Sequence, residues 1–374
     1  MAKAQKPSPN FNLKNLHIRL AEADMVFWLM PLLILLLIIG TLAQRWIGLY
    51  EAHHTYFASF FIWLGPIPLP GGYIILGLLT LNLTAKFLFK SEWSAKKSGI
   101  ILAHLGSLTL LIGGLITSIA AEERYMVLPE GGETPFIYHY TKRNLMVFEN
   151  DKEIARLPYA QINEWNTKHL PFQIKILSSC DNCEILKREE SKNYNADQFY
   201  GGMAQFMALK PKPKEKEPEA NLTGFEFTIN GTEENDGHYL AFDGMPKSIE
   251  ITHNNKEYAI IFGKEQQMLP FSVKLIDFVK DNYEATSMAR GYHSDIIIND
   301  GDVNWETRIE MNKPLRYKGY TFFQSSFDRS EQGEISILSV VKNEGWLFPY
   351  IGTITLGLGL LIHIIITFRQ RRRR

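Results

Sequence analysis

Four stretches of this chain contain no aspartate, glutamate, lysine or arginine: residues 25–44, 52–85, 98–121 and 345–368. At about 1.5 Å of rise per residue, each can cross a hydrocarbon layer of about 30 Å as a helix. That excludes a soluble globular chain. The expected fold is a polytopic α-helical membrane protein with a large mainly β extracytoplasmic domain inserted between transmembrane helices three and four. Residues 1–24 form a cytoplasmic N-terminal segment in this reading, 25–121 three helices with an outer aromatic loop, 122–344 the β domain, and 345–374 the fourth helix with a basic tail. A polar lead precedes Met25, so the first helix is expected to stay as an anchor and not to be cleaved.

Orientation follows from flanking cations. Lys3, Lys6, Lys14 and Arg19 precede the first span, Lys86, Lys90, Lys96 and Lys97 lie at or between the second and third, and Arg369 and Arg371 to Arg374 close the chain. All fall on one side of a four-span plan, and the positive-inside rule makes that side cytoplasmic. The chain carries 40 Lys plus Arg against 40 Asp plus Glu, so bulk charge gives no reason to expect a nucleic-acid partner. Membrane lipids are the expected surroundings.

The second uncharged stretch is too long for one helix. Pro66, Pro68, Pro70, Gly71 and Gly72 oppose helix in its first half. Residues 53–68 therefore read as an aromatic interfacial segment, with a short amphipathic helix as one form it can take, and roughly 70–89 as the span. In the outward region, short runs rich in β-branched and aromatic residues, such as RNLMVFEN, GFEFTIN, KEYAIIFG and SDIIIND, predict strands of a mostly antiparallel sandwich or barrel-like domain. Residues 187–200 and 203–209 are expected to add short helices, and 211–220, PKPKEKEPEA, an exposed loop. LPFQIKI at 170–176 and LPFSVKL at 269–275 leave open two β subdomains related by duplication.

Two histidines lie within predicted spans. His104 is seventh in the third uncharged stretch and His363 sixth from the end of the fourth, which predicts a common depth of about 8–9 Å from one end. An intramembrane imidazole is costly enough to imply a partner or a function, and it can ligate haem iron. Direct helix packing at about 8–10 Å leaves little room for a porphyrin between two rings. A structural hydrogen bond, or a ligand shared with a partner subunit, remains the alternative. His53 and His54 sit beside Tyr56, Phe57, Phe60, Phe61 and Trp63, a composition that suits a transient porphyrin site and equally an interfacial aromatic belt. His139, His169, His238, His253 and His293 have no tight ligand spacing.

Both cysteines, Cys180 and Cys183, form a CxxC pair on the outward side. Such a pair can exchange disulfides, close a local disulfide or supply half a thiolate metal site. No histidine follows Cys183, so this is not a haem-attachment motif. In an oxidising compartment the local disulfide is the expected state. The chain contains neither HExxH nor GxSxG and no complete phosphate-binding loop, so no nucleotide cofactor is expected.

Taken together, the residues resemble ResB, the cytochrome c biogenesis family also called CcsB. The resemblance is carried by LLIIGTLAQ in the first span, LGLLTLNL in the second, HLGSLTLLIGG in the third, then LPFSVKLIDFVKDNYEATSMARGYHSDI, NKPLRYKGYTFFQSSFD and EISILSVVKNEGWLFPYIGTITLGLGLLIH. It implies a membrane subunit in the bacterial inner, or cytoplasmic, membrane that assists haem handling and covalent haem attachment to exported apocytochromes c. It also implies a ResC or CcsA-like membrane partner. The chain has 7 Trp and no WGxxWxWD-like segment, so it looks like the partner-dependent half of a haem-attachment synthase complex and not an independently active enzyme. Haem is the implied cofactor, transient or shared with the partner, and the third-span motif makes His104 an implied haem-handling residue and the candidate iron ligand, with His363, His53 and His54 as further haem-contact candidates. The same resemblance marks Asn312, Pro314, Gly319, Tyr320, Gln324 and Ser325 as a partner or structural surface. No span contains cysteine, which disfavours covalent haem capture by this chain. The competing readings are an extracytoplasmic scaffold for another redox or envelope assembly without haem contact, and a thiol-disulfide factor.

Overall fold

The computed structural model describes residues 19–191, 195, 198–232, 234–284, 286, 289–330 and 333–372. Lys3, Lys6, Lys14, Arg373 and Arg374 lie outside the described residues. The chain divides into two units, Met1–Ala121 with Asn343–Arg374, and Glu122–Lys342.

The first unit is helical. Its long helices are α1 (Ala23–Ile47), α2 (Gly72–Ala85, continued by a π-helical turn over Lys86–Lys90), α3 (Ser98–Ala120) and α4 (Phe348–Arg371). Each is part of a helical segment long and apolar enough to cross a membrane, so this is a multi-pass membrane protein with four candidate spans, the last following the β region. Pro349 sits in the first turn of α4, where its missing N–H has no helical partner to lose. In α3, Gly99, Gly106 and Gly113 recur every seven residues and keep one stripe clear. A Cβ at Gly99 would lie 2.3 Å from the His363 backbone nitrogen, at Gly106 2.4 Å from that of Leu356, and at Gly113 2.2 Å from Phe348 Cβ. From the other side, a Cβ at Gly359 would lie 2.4 Å from the Ala103 nitrogen. The two backbones thus meet antiparallel along glycine notches, the close packing that small residues allow where lipid supplies no hydrophobic drive.

Asn82, buried in α2, donates its amide to Leu20 O at 2.5 Å and Glu22 O at 2.8 Å, and Lys90 pairs with Glu22 at 3.5 Å. The start of α1 is thereby tied to the end of α2. With Gly99 against His363, the cations at Lys86, Lys90, Lys96, Lys97, Arg369, Arg371 and Arg372 share one end of the helical unit.

At the opposite end, the aromatic segment departs from a helix over 53–68. Only His53–Phe57 is helical, as one π turn after the short helix Leu49–Ala52. The chain then forms an antiparallel hairpin of β1 (Phe61–Leu64) and β2 (Ile67–Pro70). Three prolines in five residues deny the i to i−4 ladder and leave an extended chain as the outcome.

The second unit is mainly β. Its strands are β3 (Glu122–Pro129), β4 (Glu133–Glu149), β5 (Lys152–Pro158), β6 (Gln173–Cys180), β7 (Cys183–Lys187), β8 (Met207–Pro211), β9 (Gly224–Asn230), β10 (Gly237–Phe242), β11 (Ile249–His253), β12 (Lys256–Asn282), β13 (Ala289–Asp300), β14 (Val303–Glu310), β15 (Leu315–Tyr317), β16 (Tyr320–Ser330) and β17 (Gly333–Lys342). The expected runs all fall in strands. The helices expected in 187–200 and 203–209 reduce to 3₁₀ turns at Arg188–Glu190 and Gly202–Gln205, and Met207–Pro211 is strand. Residues 192–194, 196 and 197 lie outside the described residues.

A ten-stranded antiparallel sheet runs β14-β13-β12-β4-β3-β17-β16-β15, with β11 on β12 and β5 on β4. It curls until its ends meet, where Trp305 of β14 and Tyr317 of β15 lie 6.1 Å apart and Tyr317 donates to Asp300 at 2.7 Å. The curl encloses one core, including Met126, Ile137, Phe271, Ile296, Phe322 and Leu338. A three-stranded sheet, β10-β9-β6, covers the other part and closes a second core on Leu145, Phe172, Phe225, Phe227, Tyr258 and Phe262. Phe225 meets Phe262 edge-on at 5.0 Å across that sandwich, a geometry aromatic pairs favour. The two LPF segments enter different cores: Leu170, Phe172 and Ile174 the sandwich, and Leu269, Phe271 and Val273 the curled sheet.

Candidate functional site

Within the helical unit, His104 and His363 are both half-buried, and among the described residues neither makes a hydrogen bond or ion pair. They do not face each other. The antiparallel pairing sets His363 level with Gly99, so His104 lies five residues farther along α3, about 7.5 Å from that level and about 140° around the helix from Gly99. The expectation of a common depth fails because uncharged-stretch length does not fix helix register; the glycine notches do. The two histidines thus sit at different backbone levels along the seam. On this apolar helix the His104 imidazole is a nitrogen donor of the type that would hold haem iron.

His53 and His54 lie exposed at the end of the unit opposite the basic cluster. Their rings meet edge-on at 5.6 Å, with Tyr50 at 4.4 Å from His54 and Phe57 at 6.3 Å from His53. Phe57 rests over Gly40 of α1, where a Cβ would come within 2.4 Å of the ring tip.

In the β unit, Cys180 ends β6 and Cys183 begins β7, joined as a disulfide with Cα atoms 5.5 Å apart. Both are buried, and Cys183 N donates to Leu222 O at 2.7 Å, so the bridge is packed under the chain and not presented at the surface. It couples the three-stranded sheet to the β7–β8 ribbon.

The residues marked by resemblance at 312–325 mostly shape the core enclosed by the curled sheet. Asn312 and Pro314 lie in the connection between β14 and β15. Gly319 takes φ 82° in the β15–β16 turn, after Lys318 at φ 45°, a pair of left-handed residues that a two-residue hairpin needs. Tyr320 is buried beside Phe271 at 6.2 Å. Ser325 is the extra residue of a bulge, because the β16–β17 register jumps between Gln324 and Ser326. Gln324 turns inward there: it accepts from Ser294 Oγ at 2.6 Å and donates to Ser336 Oγ at 3.2 Å, pairing two serines that are fully buried.

Sequence reasoning did not find an open cleft of about 550 Å³ in the β unit, whose lining includes Tyr125, Tyr138, Asp243, Met245, Lys264 and Gln266. Arg143 and Lys264 converge on Asp243 Oδ2 at 3.0 and 4.0 Å, and Lys264 lies 4.8 Å over the Tyr125 ring. Burial lowers the Lys264 ammonium against the opposing pull of Asp243. Burial, helped by Asp243, pushes the Tyr125 phenol up to about 12. Tyr138 and Tyr140 flank Tyr125 at 5.7 and 5.1 Å. These residues are scattered between positions 125 and 266, so no local motif could announce the cleft. The remaining histidines are individually placed: His139 accepts from the backbone of Thr141 and Lys142, His238 meets Gln198, and His293 lies 3.6 Å from Asp281. Among the described residues no three metal-ligating side chains gather into a metal site.

Residues 243–345 match the model of the ResB-like family. Protein NrfI of Wolinella succinogenes is 25% identical over 309 residues, which is 78% of this chain and 30% of NrfI. The cytochrome c biogenesis protein CcsB of Picosynechococcus sp. is 33% identical over 93 residues, 24% of this chain and 20% of that protein. The chain thus aligns with less than a third of the length of either relative. The family match spans β11 to β17 and the Gln324 network, and it leaves out the four histidines and the cysteine pair. Over residues 243–345 the chain is similar to the ResB-like family, and over 93 residues it is similar to a cytochrome c biogenesis protein, CcsB.

Proposed function

We propose that this chain is a membrane subunit of a cytochrome c maturation system in the bacterial inner membrane, with its β domain inserted between the third and fourth spans and held outside the cytoplasm. It works with a ResC or CcsA-like partner to bring haem and exported apocytochromes c together. The observation that carries the reading is the ResB-like match over residues 243–345, joined in one chain to four candidate spans. The shared end of the basic residues supports the orientation.

In this reading His104 would help to hold haem at a site shared with the partner. The half-buried imidazole, without a hydrogen bond or ion pair among the described residues, supports that role, and the different backbone level of His363 favours a site shared with the partner. His53 and His54 line the approach on the outer side. Haem supplies the vinyl groups that client thiols add across, so this chain need not provide a nucleophile. Its contribution is positional: it holds the haem-bearing partner and the unfolded client within reach.

Co-expression with a tryptophan-rich partner and a CxxCH client in a maturation-deficient background tests the function, with covalent haem on the client as readout. Omitting this chain is expected to abolish attachment; equal attachment without it would end the proposal. His104→Ala and His104→Gln are expected to reduce haem absorption per intact complex, with added imidazole restoring part of the Ala signal. Unchanged spectra in both variants would remove His104 from the haem site and leave the maturation role standing.

A further inference from the structure

The β1–β2 hairpin presents apolar side chains on both faces: Phe61, Trp63, Leu64, Ile67 and Leu69 are all exposed, Trp63 at 67% and Leu64 at 66%. No charged residue occurs from 52 to 85. A two-stranded ribbon has no inner face in which to hide these groups, so water is a poor solvent for it.

Its backbone is unusual in the same direction. The register pairs Phe61 with Pro70, Ile62 with Leu69, Trp63 with Pro68 and Leu64 with Ile67. Gly71 N donates to Phe60 O at 2.8 Å, which fixes the phase of the ladder. Antiparallel pairs alternate between bonded and non-bonded, so the bonded pairs are 60/71, 62/69 and 64/67. Residues 68 and 70 therefore turn their nitrogens outward, and both are proline. The outer edge of β2 carries no N–H donor. It cannot template an added strand in full, and it avoids the donor part of the cost of an unpaired strand edge in an apolar medium. The outward N–H groups of Phe61 and Trp63 remain on the β1 edge and require polar acceptors.

We infer that this hairpin is seated in the boundary between head groups and acyl chains of the leaflet at the end of the helical unit opposite the basic cluster. The proline edge and side chains then face acyl chains, and the β1 edge faces ester and phosphate oxygens. Four residues per strand reach about 13 Å, which matches an element lying in the interface and is far short of a span. The hairpin is held at that level by its own unit: Gly71 and Gly72 at the start of α2 pack on the backbones of Ser59 and Phe57, where a Cβ would come within 2.4 and 2.2 Å.

The test uses the full chain in phosphatidylcholine vesicles. Leu64→Cys is labelled with an environment-sensitive fluorophore; Cys180 and Cys183 are disulfide-bonded and do not compete for the label. Asp302→Cys, in the β13–β14 turn, is the aqueous reference. Acyl chains brominated near the ester end are expected to remove about half of the emission at position 64, while iodide quenches it several-fold less than at 302. Iodide quenching equal to that at 302 would overturn the inference in favour of a water-exposed loop. Protection from both quenchers would overturn it in favour of a protein partner or a second copy. Ile67→Cys on the other strand repeats the measurement if the first variant does not reconstitute.

Discussion

The α3–α4 seam makes a sharp prediction from matched glycines. A Cβ at Gly106 would lie 2.4 Å from Leu356 N and 2.8 Å from Gly352 O, whereas one at Gly114 of the same helix, or Gly357 of its partner, meets nothing within 4 Å. Ordinary contact begins near 3.4 Å, so Gly106→Ala must part the backbones by about 1 Å. Overpacking of this kind costs about 1–3 kcal/mol, and the better helix propensity of alanine returns about 1 kcal/mol. Gly114→Ala keeps the return without the cost. The two variants should therefore differ by about 2 kcal/mol, with Gly106→Ala the less stable. The measurement is SDS titration of the full chain in mixed micelles, followed by far-ultraviolet circular dichroism. Because the obstacle at Gly106 is backbone, Leu356→Ala should not rescue it. At Gly40 the obstacle is the tip of the Phe57 ring, so Gly40→Ala should be restored by Phe57→Ala. Equal stability of the Gly106 and Gly114 variants, or rescue by Leu356→Ala, would refute the seam.

Three further outcomes are expected. Replacing Cys180 and Cys183 together by serine removes a closed loop of sequence separation 3 and should lower β-unit stability by about 2 kcal/mol, with haem attachment per folded chain unchanged; attachment lost at unaltered stability would point instead to thiol exchange. Asn82→Leu leaves the Leu20 and Glu22 carbonyls without their donor and should cost about 2–3 kcal/mol in the same SDS titration. For Tyr125, the unfolded phenol ionises near pH 10 while the folded one keeps its proton to about 12, so stability should fall as pH rises through that window; the ultraviolet difference titration against Tyr125→Phe checks it, and a transition near 10 would contradict the burial.

What the sequence disclosed depended on range. Spans were legible because lipid tolerates so little charge that a run such as 98–121 has few other readings. Strands were legible because runs such as GFEFTIN carry their own alternation. The level of His104 against His363 was not, since it is fixed by Gly99 and Gly106 meeting a helix some 250 residues away. The segment 53–68 left its form open because its aromatic content fits an interfacial helix as well as a ribbon, and the alternation of prolines with pairing partners becomes visible only with the register. Gln324 and Ser325 stood out as a motif, yet their task in the fold is a bulge that turns one amide onto two buried hydroxyls. The Tyr125 and Lys264 cleft was silent because no two of its segments share a pattern.

The 27-residue strand β12 serves both cores of the β unit, and it does so with a change of phase. Tyr258, Ile260 and Phe262 enter the sandwich at even positions, while Leu269, Phe271, Val273 and Leu275 enter the curled sheet at odd ones. A period of two makes that parity change a switch of sheet face. The stretch from 263 to 268 therefore acts as a phase-setting joint whose length cannot vary by one residue without turning one set of side chains outward. The continuous strand also makes the two cores a single cooperative unit. A load on one part of the domain would meet the stability of both, and melting should show one transition where two cores alone would suggest two.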